Sequence, residues 1–200
     1  NIADGAFAEC ESITSITVPN TVAHIGDHVF ENCSLLSHVD LSDSIVDIGK
    51  FTFGGCKSLE FIKIPNEVTA IDSAAFIACT SLKSIHFSNK LATIGSSAFY
   101  GCGFSYLEIG NGVQYIANNA FGGCENLSSV VIPNSMTNIA KDAFVHCNSL
   151  ATIIVQNGNP IFDSRENCNA IIETASNTLI IGCKSTVIPN SVKHLGSSAF

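Results

Sequence analysis

The chain is short of positive charge, of long apolar runs and of catalytic signatures, and each shortage removes a class of function. Nine Lys and Arg stand against seventeen Asp and Glu, a formal net charge of −8. No basic patch or stripe of the kind that a phosphate backbone requires is present, which argues against nucleic acid as a partner. No apolar run approaches the roughly 18 residues of a membrane-spanning helix, so no membrane insertion is expected from these residues. The G-x-S-x-G, H-E-x-x-H and phosphate-loop patterns are all missing, and nothing calls for a cofactor or a metal. Charged residues make up only 13% of a chain that is 46% hydrophobic, which is too apolar for disorder.

Nine cysteines are present, but their arrangement fits neither a zinc site nor a paired disulfide framework: the count is odd and no C-x-x-C pair occurs. Seven of them fall in one column, as Phe-x-x-Cys units at Phe7/Cys10, Phe30/Cys33, Phe53/Cys56, Phe76/Cys79, Phe99/Cys102, Phe121/Cys124 and Phe144/Cys147. The phenylalanines are spaced 23, 23, 23, 23, 22 and 23 residues apart. A fixed period of this length marks a solenoid, in which each unit buries its apolar face only by stacking on its neighbours. The thiols are read as a ladder of small buried hydrophobes, and Cys168 and Cys183, outside the column, are the one pair to check for a bridge.

Superposed, the units share the line C-x-S-L-x-x-I-x-I-P-N-x-V-x-x-I-G-x-x-A-F-x-x-C. Alternation at Ile62 and Ile64, repeated at Ile16/Val18, Val39/Leu41, Ile85/Phe87, Leu107/Ile109, Val130/Ile132 and Ile153/Val155, predicts a half-buried strand. Stacked copies would pair in parallel into one long sheet, rising about 4.8 Å per repeat. Pro19-Asn20, Pro65-Asn66, Pro133-Asn134 and Pro189-Asn190 turn the chain. A short second strand and a glycine bend follow, as at Ile25-Gly26, Ile48-Gly49 and Ile94-Gly95. The Phe-to-Cys spacing of three predicts a single helical turn with both side chains inward. The predicted class is thus an α/β solenoid of about 23-residue repeats, with parallel strands, short helical turns and a hairpin-like insert near the C-terminus.

Three stretches are distinguished: regular repeats over 1–155, an irregular hairpin-containing variant repeat over 156–186, and the start of a further repeat over 187–200. In the middle stretch, two apolar segments around Ile171-Ile172 and Leu179-Ile180-Ile181 flank the polar Ala175-Ser176-Asn177. A residue is missing at Cys102-Gly103-Phe104, which moves Phe104 into the leucine column. No leader opens the chain. It begins and ends inside a repeat, without polar capping units, and is expected to be a piece of a longer array.

The I-P-N-x-V-x-x-I-G-x-x-A-F-x-x-C unit resembles the leucine-rich repeat of BspA-type surface proteins of bacteria such as Bacteroides and Tannerella and of some parasitic protists. The segment from Asn159-Pro160 to Cys183 is similar to a variant repeat of Bacteroides members. The resemblance implies an extracellular or cell-surface protein, with adhesion to host proteins or other cells. It carries no catalytic residue over, because every matching position is framework. Ser42, Ser88 and Gly110 replace the corner proline, and Asp72, Ala117 and Ala140 replace the glycine.

Outward sheet positions are the natural recognition surface. They run Ser15/Thr17, His38/Asp40, Phe61/Lys63, Ser84/His86, Tyr106/Glu108, Ser129/Val131 and Thr152/Ile154. Large side chains gather at the centre, with Phe61 and Tyr106 two turns, or about 10 Å, apart beside Lys63, His86 and Glu108. Aromatics with mixed charge are what protein interfaces favour at their hot spots. His38 and Asp40 extend the cluster. Proton transfer by these groups would need a concave, water-poor site that a flat sheet does not offer. The expectation is a non-enzymatic scaffold binding extracellular or host proteins, such as matrix or plasma proteins, through His38, Asp40, Phe61, Lys63, His86, Tyr106 and Glu108. A passive spacer and a glycan-binding face are the alternatives.

Overall fold

The computed structural model describes residues 1–200, and they form a single coil of stacked turns with three faces. In chain order the strands begin with β1 (Ser15–Thr17), β2 (His38–Asp40), β3 (Phe61–Lys63), β4 (Ala70–Ile71) and β5 (Ser84–His86). They continue with β6 (Thr93–Ile94), β7 (Tyr106–Glu108), β8 (Tyr115–Ile116), β9 (Ser129–Ile132) and β10 (Asn138–Ile139). The last are β11 (Thr152–Val155), β12 (Phe162–Asp163), β13 (Ile171–Glu173), β14 (Thr178–Ile181) and β15 (His194–Leu195). No helix is long and apolar enough to cross a membrane.

The first face carries β1, β2, β3, β5, β7, β9 and β11, each paired in parallel where it pairs at all. It is not one continuous sheet. Ladder bonds join β1–β2, β3–β5 and β7–β9–β11, with interruptions between β2 and β3 and between β5 and β7. Both interruptions follow strands that run into a buried serine, Ser42 or Ser88, where other turns have proline. The second also coincides with the 22-residue unit, whose missing residue shifts the incoming strand. The second face is the parallel ladder β4–β6–β8–β10, extended by the bridges Ile2–Ile25 and Ile48–Ile71.

The third face corrects the expectation of helical turns. Its Ala-Phe-x-x-Cys segments are chains of tight turns, and the sole helical stretch in the molecule is a short 3₁₀ turn at Arg165–Asn167. Phe30 N–H donates to Thr52 O at 2.8 Å and Asn32 N–H to Gly54 O at 2.7 Å, one coil ahead. Between them, Glu31 N–H returns to His28 O and Cys33 N–H to Phe30 O within the coil. Positive φ at His28 (60°) and Asn32 (59°) makes this alternation possible, and the same signature recurs two residues on either side of Phe53, Phe76, Phe99 and Phe121. A helix turns all its N–H groups inward on itself and is about 10 Å wide, so it could not repeat at a strand spacing of about 4.8 Å. Only 19 of 106 backbone hydrogen bonds lie within regular elements, so these turns and inter-coil links carry most of the backbone pairing.

Thin coils let the Phe rings stack. From Phe7 to Phe144 successive centroids are 5.1–5.5 Å apart with planes within 16° of parallel. Phe104 lies fully buried, edge-on to Phe99 and Phe121, filling the space left by the shortened unit. Beside the rings, the cysteines do more than fill space. The Sγ atoms of Cys33, Cys56, Cys79, Cys102, Cys124 and Cys147 each donate to the carbonyl of the Phe in the preceding coil, at 3.0–3.3 Å. Except at Phe121, that carbonyl also accepts the Cys N–H of its own turn, and the thiol uses its second lone pair. Burial pushes the Cys33, Cys56 and Cys102 thiols up from their ordinary value, so they stay protonated and unreactive.

The glycine column also has a different basis from the bend expected of it. Gly26, Gly49 and Gly95 all avoid positive φ. A Cβ on Gly26 would lie 2.7 Å from Asp4 N, and one on Gly95 would lie 2.8 Å from backbone atoms of Asp72 and Ser73. These glycines permit close approach of neighbouring coils.

After Val155 the path leaves the coil. Asn159 fixes the departure: its Nδ2 donates to Pro133 O (3.0 Å) and Met136 O (2.9 Å), while its Oδ1 accepts Ile161 N–H (2.9 Å) and Phe162 N–H (2.7 Å). Ser164 Oγ accepts the Val155 N–H at 3.0 Å. Strands β12, β13 and β14 pair antiparallel, and β14 pairs in parallel with β15. Arg165 braces them, donating to both carboxylate oxygens of Asp163 and, at 2.8 Å, to Asn177 Oδ1. Burial alone would raise the Asp163 pKa, but hydrogen bonds from Arg165 and Thr174 outweigh it and hold the carboxyl below its usual range. Cys168 and Cys183 are free thiols, and Cys183 Sγ donates to Asn169 O at 3.2 Å.

Three outcomes follow from this packing. Phe76→Ala removes a fully buried ring from the middle of the stack and should cost about 3–5 kcal/mol, splitting thermal unfolding into two transitions; a single transition at unchanged temperature in calorimetry would contradict it. Ellman's reagent should titrate at most the two half-buried thiols, Cys10 and Cys183, in native protein and all nine cysteines in denaturant. The depressed Asp163 pKa stabilises the fold above its unfolded value of about 4, and that contribution is lost as pH falls through the lower folded value. Amide exchange across β12–β14, corrected for intrinsic rate, should therefore accelerate as pH falls below about 4, and Arg165→Gln should remove much of the pH dependence.

Candidate functional site

The first face holds every residue that the outward-position pattern singled out, because a three-residue strand buries its centre and exposes its ends. Val39, Ile62 and Leu107 point into the core while His38/Asp40, Phe61/Lys63 and Tyr106/Glu108 point out. Phe61 and Tyr106, at the outward ends of β3 and β7, are 52% and 51% exposed.

Interruptions in the ladder divide these residues into three groups. Lys63 and His86 stand side by side in register on β3 and β5, as Phe61 does with Ser84. Tyr106 and Glu108 occupy one strand, with Tyr106 Oη donating to Glu108 Oε2 at 3.3 Å. Desolvation and the neighbouring Glu108 carboxylate push the Tyr106 hydroxyl up, so it remains a donor. The expected column of His86 beside Glu108 is not formed as a ladder pair, because the break between β5 and β7 falls there. His38 and Asp40 belong to the β1–β2 ladder, in register with Ser15 and Thr17.

At the other interruption, β2 and β3 pack side by side without ladder pairing. An open groove of about 400 Å³ lies over this junction, bounded by His38, Asp40, Asp43, Phe61 and Lys63. Lys63 Nζ leans toward Asp43, 4.0 Å from its Oδ1, and Asp40 takes no ion pair. Periodicity had placed four of these side chains on the face. Asp43, at a corner, lay outside the strand pattern, and only the turn geometry brings it in.

None of these groups is buried, and the face contains no nucleophile–base pair. No cluster of three or more His, Cys, Asp or Glu is positioned to hold a metal ion. What the arrangement offers is a rigid, open surface with two aromatic rings and charges of both signs.

Comparison with known proteins agrees with this architecture. No curated protein matches the chain. Among solved structures, a leucine-rich repeat protein from Bacteroides ovatus superposes with a TM-score of 0.74 at 26% identity, covering 94% of this chain and 46% of its own. One from Eubacterium ventriosum gives a TM-score of 0.78 at 20% identity, a likeness of fold alone, over 91% of this chain and 51% of its own. The leucine-rich repeat protein of T. pallidum gives 0.66 at 30% identity, over 73% of this chain and 69% of its own. The chain thus spans about half the length of the first two. The model of the BspA type leucine-rich repeat region matches in six copies, over residues 1–127, 47–172 and 92–200. With the whole length covered by that repeat, the chain belongs to the BspA-type leucine-rich repeat family.

Proposed function

We propose that the chain is a non-enzymatic scaffold outside the cell, at its surface, that binds host or neighbouring-cell proteins in the manner of an adhesin. The observation that carries this reading is the pair Phe61 and Tyr106, half in water on one rigid sheet face and accompanied by Lys63, His86 and Glu108. An aromatic side chain has only two rotatable χ angles, so a partner burying these rings incurs little side-chain entropy loss and gains their exposed apolar area. Mixed charge around them fits the composition of interface hot spots. The family's bacterial surface members support the extracellular setting.

The test is surface plasmon resonance of the purified chain against a panel of matrix and plasma proteins, beside a Phe61→Ala/Lys63→Ala/Tyr106→Ala variant of matched thermal stability. Saturable binding that weakens at least about tenfold in the variant is expected for a hot-spot face. Absence of saturable binding across the panel would overturn the reading in favour of a passive spacer. Equal binding by both proteins would move the site off this face.

A further inference from the structure

We propose that the groove between β2 and β3 is a receptor for an arginine side chain presented by the partner protein. The inference deepens the protein-binding reading and rests on it. The β2–β3 groove combines a half-exposed aromatic ring, Phe61, with a carboxylate that has no ion pair, Asp40.

Its origin lies in the interrupted ladder. Because β2 and β3 are neighbours without ladder pairing, the outward side chains on either side of the junction border a recess. On the β1 side the outward residues are Ser15 and Thr17, too small to fill it. On the β3 side Phe61 forms a wall and exposes half its surface. Asp40 and Asp43 supply two carboxylates against the single ammonium of Lys63, so negative charge is in excess among these groups. Lys63 is engaged with Asp43, while Asp40 has no charged partner. A cation is therefore the complementary guest, on a molecule whose net charge is −8.

The ring selects among cations. A guanidinium is planar, stacks on an aromatic face and can present parallel N–H donors to a carboxylate, whereas an ammonium is compact and strongly hydrated. Phe61 and Asp40, diagonal to one another across the β2–β3 junction, line the same recess and offer both elements. Arginine fits with its plane on the ring and its N–H groups on Asp40, and Asp43 adds a longer-range attraction. An anionic guest would meet Asp40 and Asp43 with only Lys63, itself turned toward Asp43, to oppose them.

The experiment uses Nα-acetyl-arginine amide as probe, titrated into ¹⁵N-labelled protein and followed by NMR. Nα-acetyl-citrulline amide, its neutral isostere, and Nα-acetyl-lysine amide serve as comparators. Saturable shifts confined to residues around His38, Asp40 and Phe61 are expected, with millimolar affinity for arginine, several-fold weaker for lysine and none for citrulline. Asp40→Asn and Phe61→Ser should each weaken the arginine response at least fivefold, and Tyr115→Ala, on the second face, should leave it unchanged. Because all three side chains are exposed, the variants should keep the wild-type thermal transition. Failure of arginine to saturate, an equal response to citrulline, or insensitivity to Asp40→Asn would each overturn the proposal. Loss of panel binding in the triple variant together with a silent arginine titration leaves the interface reading standing and removes only the groove. A positive titration without any panel partner would do the reverse.

Discussion

Everything in this molecule depends on keeping one coil at the same close spacing from the next on all three faces at once. Parallel strands set a spacing of about 4.8 Å, and the turn-built third face matches it, since its Phe rings repeat at 5.1–5.5 Å. The match explains why the third face cannot be helical, why half its N–H groups point along the solenoid, and why residues such as His28, Asn32 and Ala78 accept positive φ. Strain of that kind persists only where the surroundings over-determine it. Here the stacked rings and the thiol-to-carbonyl bonds do so in every coil.

The same constraint accounts for the character of the cysteine column. A serine hydroxyl could donate to the Phe carbonyl but would carry a larger desolvation penalty in a wholly apolar stack, and an alanine would leave both a gap and an under-used acceptor. A thiol is small, apolar and a weak donor, which suits a site where the acceptor already has one partner. Burial raises the pKa of Cys33, Cys56 and Cys102 and keeps those thiols protonated, and none of the nine cysteines forms a disulfide.

Rigid stacking also separates function from fold. Strands of three residues bury one side chain and expose two, so the outward ends are free to vary while the centre holds the core. Phe61, Lys63, His86, Tyr106 and Glu108 sit at such ends. The interruptions of the first face add relief to what would otherwise be a flat surface. One opens the groove by β2 and β3, and the other sets Tyr106 and Glu108 apart from His86.

The repeat, its length, the inward Phe and Cys columns, the alternation of each first-face strand and the exposure of its end residues were all legible in the residues, because a buried column recurring every 23 positions leaves a periodic trace. The conformation of the Ala-Phe-x-x-Cys segment was not, since a spacing of three puts two side chains on one side of a helical turn and of a tight-turn chain alike. Likewise the alternation of Ile62 and Ile64 predicts a strand but cannot say whether its ladder bonds to the previous coil are made. Asp43 joins the groove through a corner, Asn159 pins the departure of the chain through four hydrogen bonds, and the thiols bond to carbonyls 25 or 26 residues away. Sequence alone determined which side chains are inside and which are outside, because burial follows from hydrophobic period. Only the tertiary structure decided how neighbouring coils meet, because hydrogen bonds between coils depend on backbone direction and register, which leave no mark on composition.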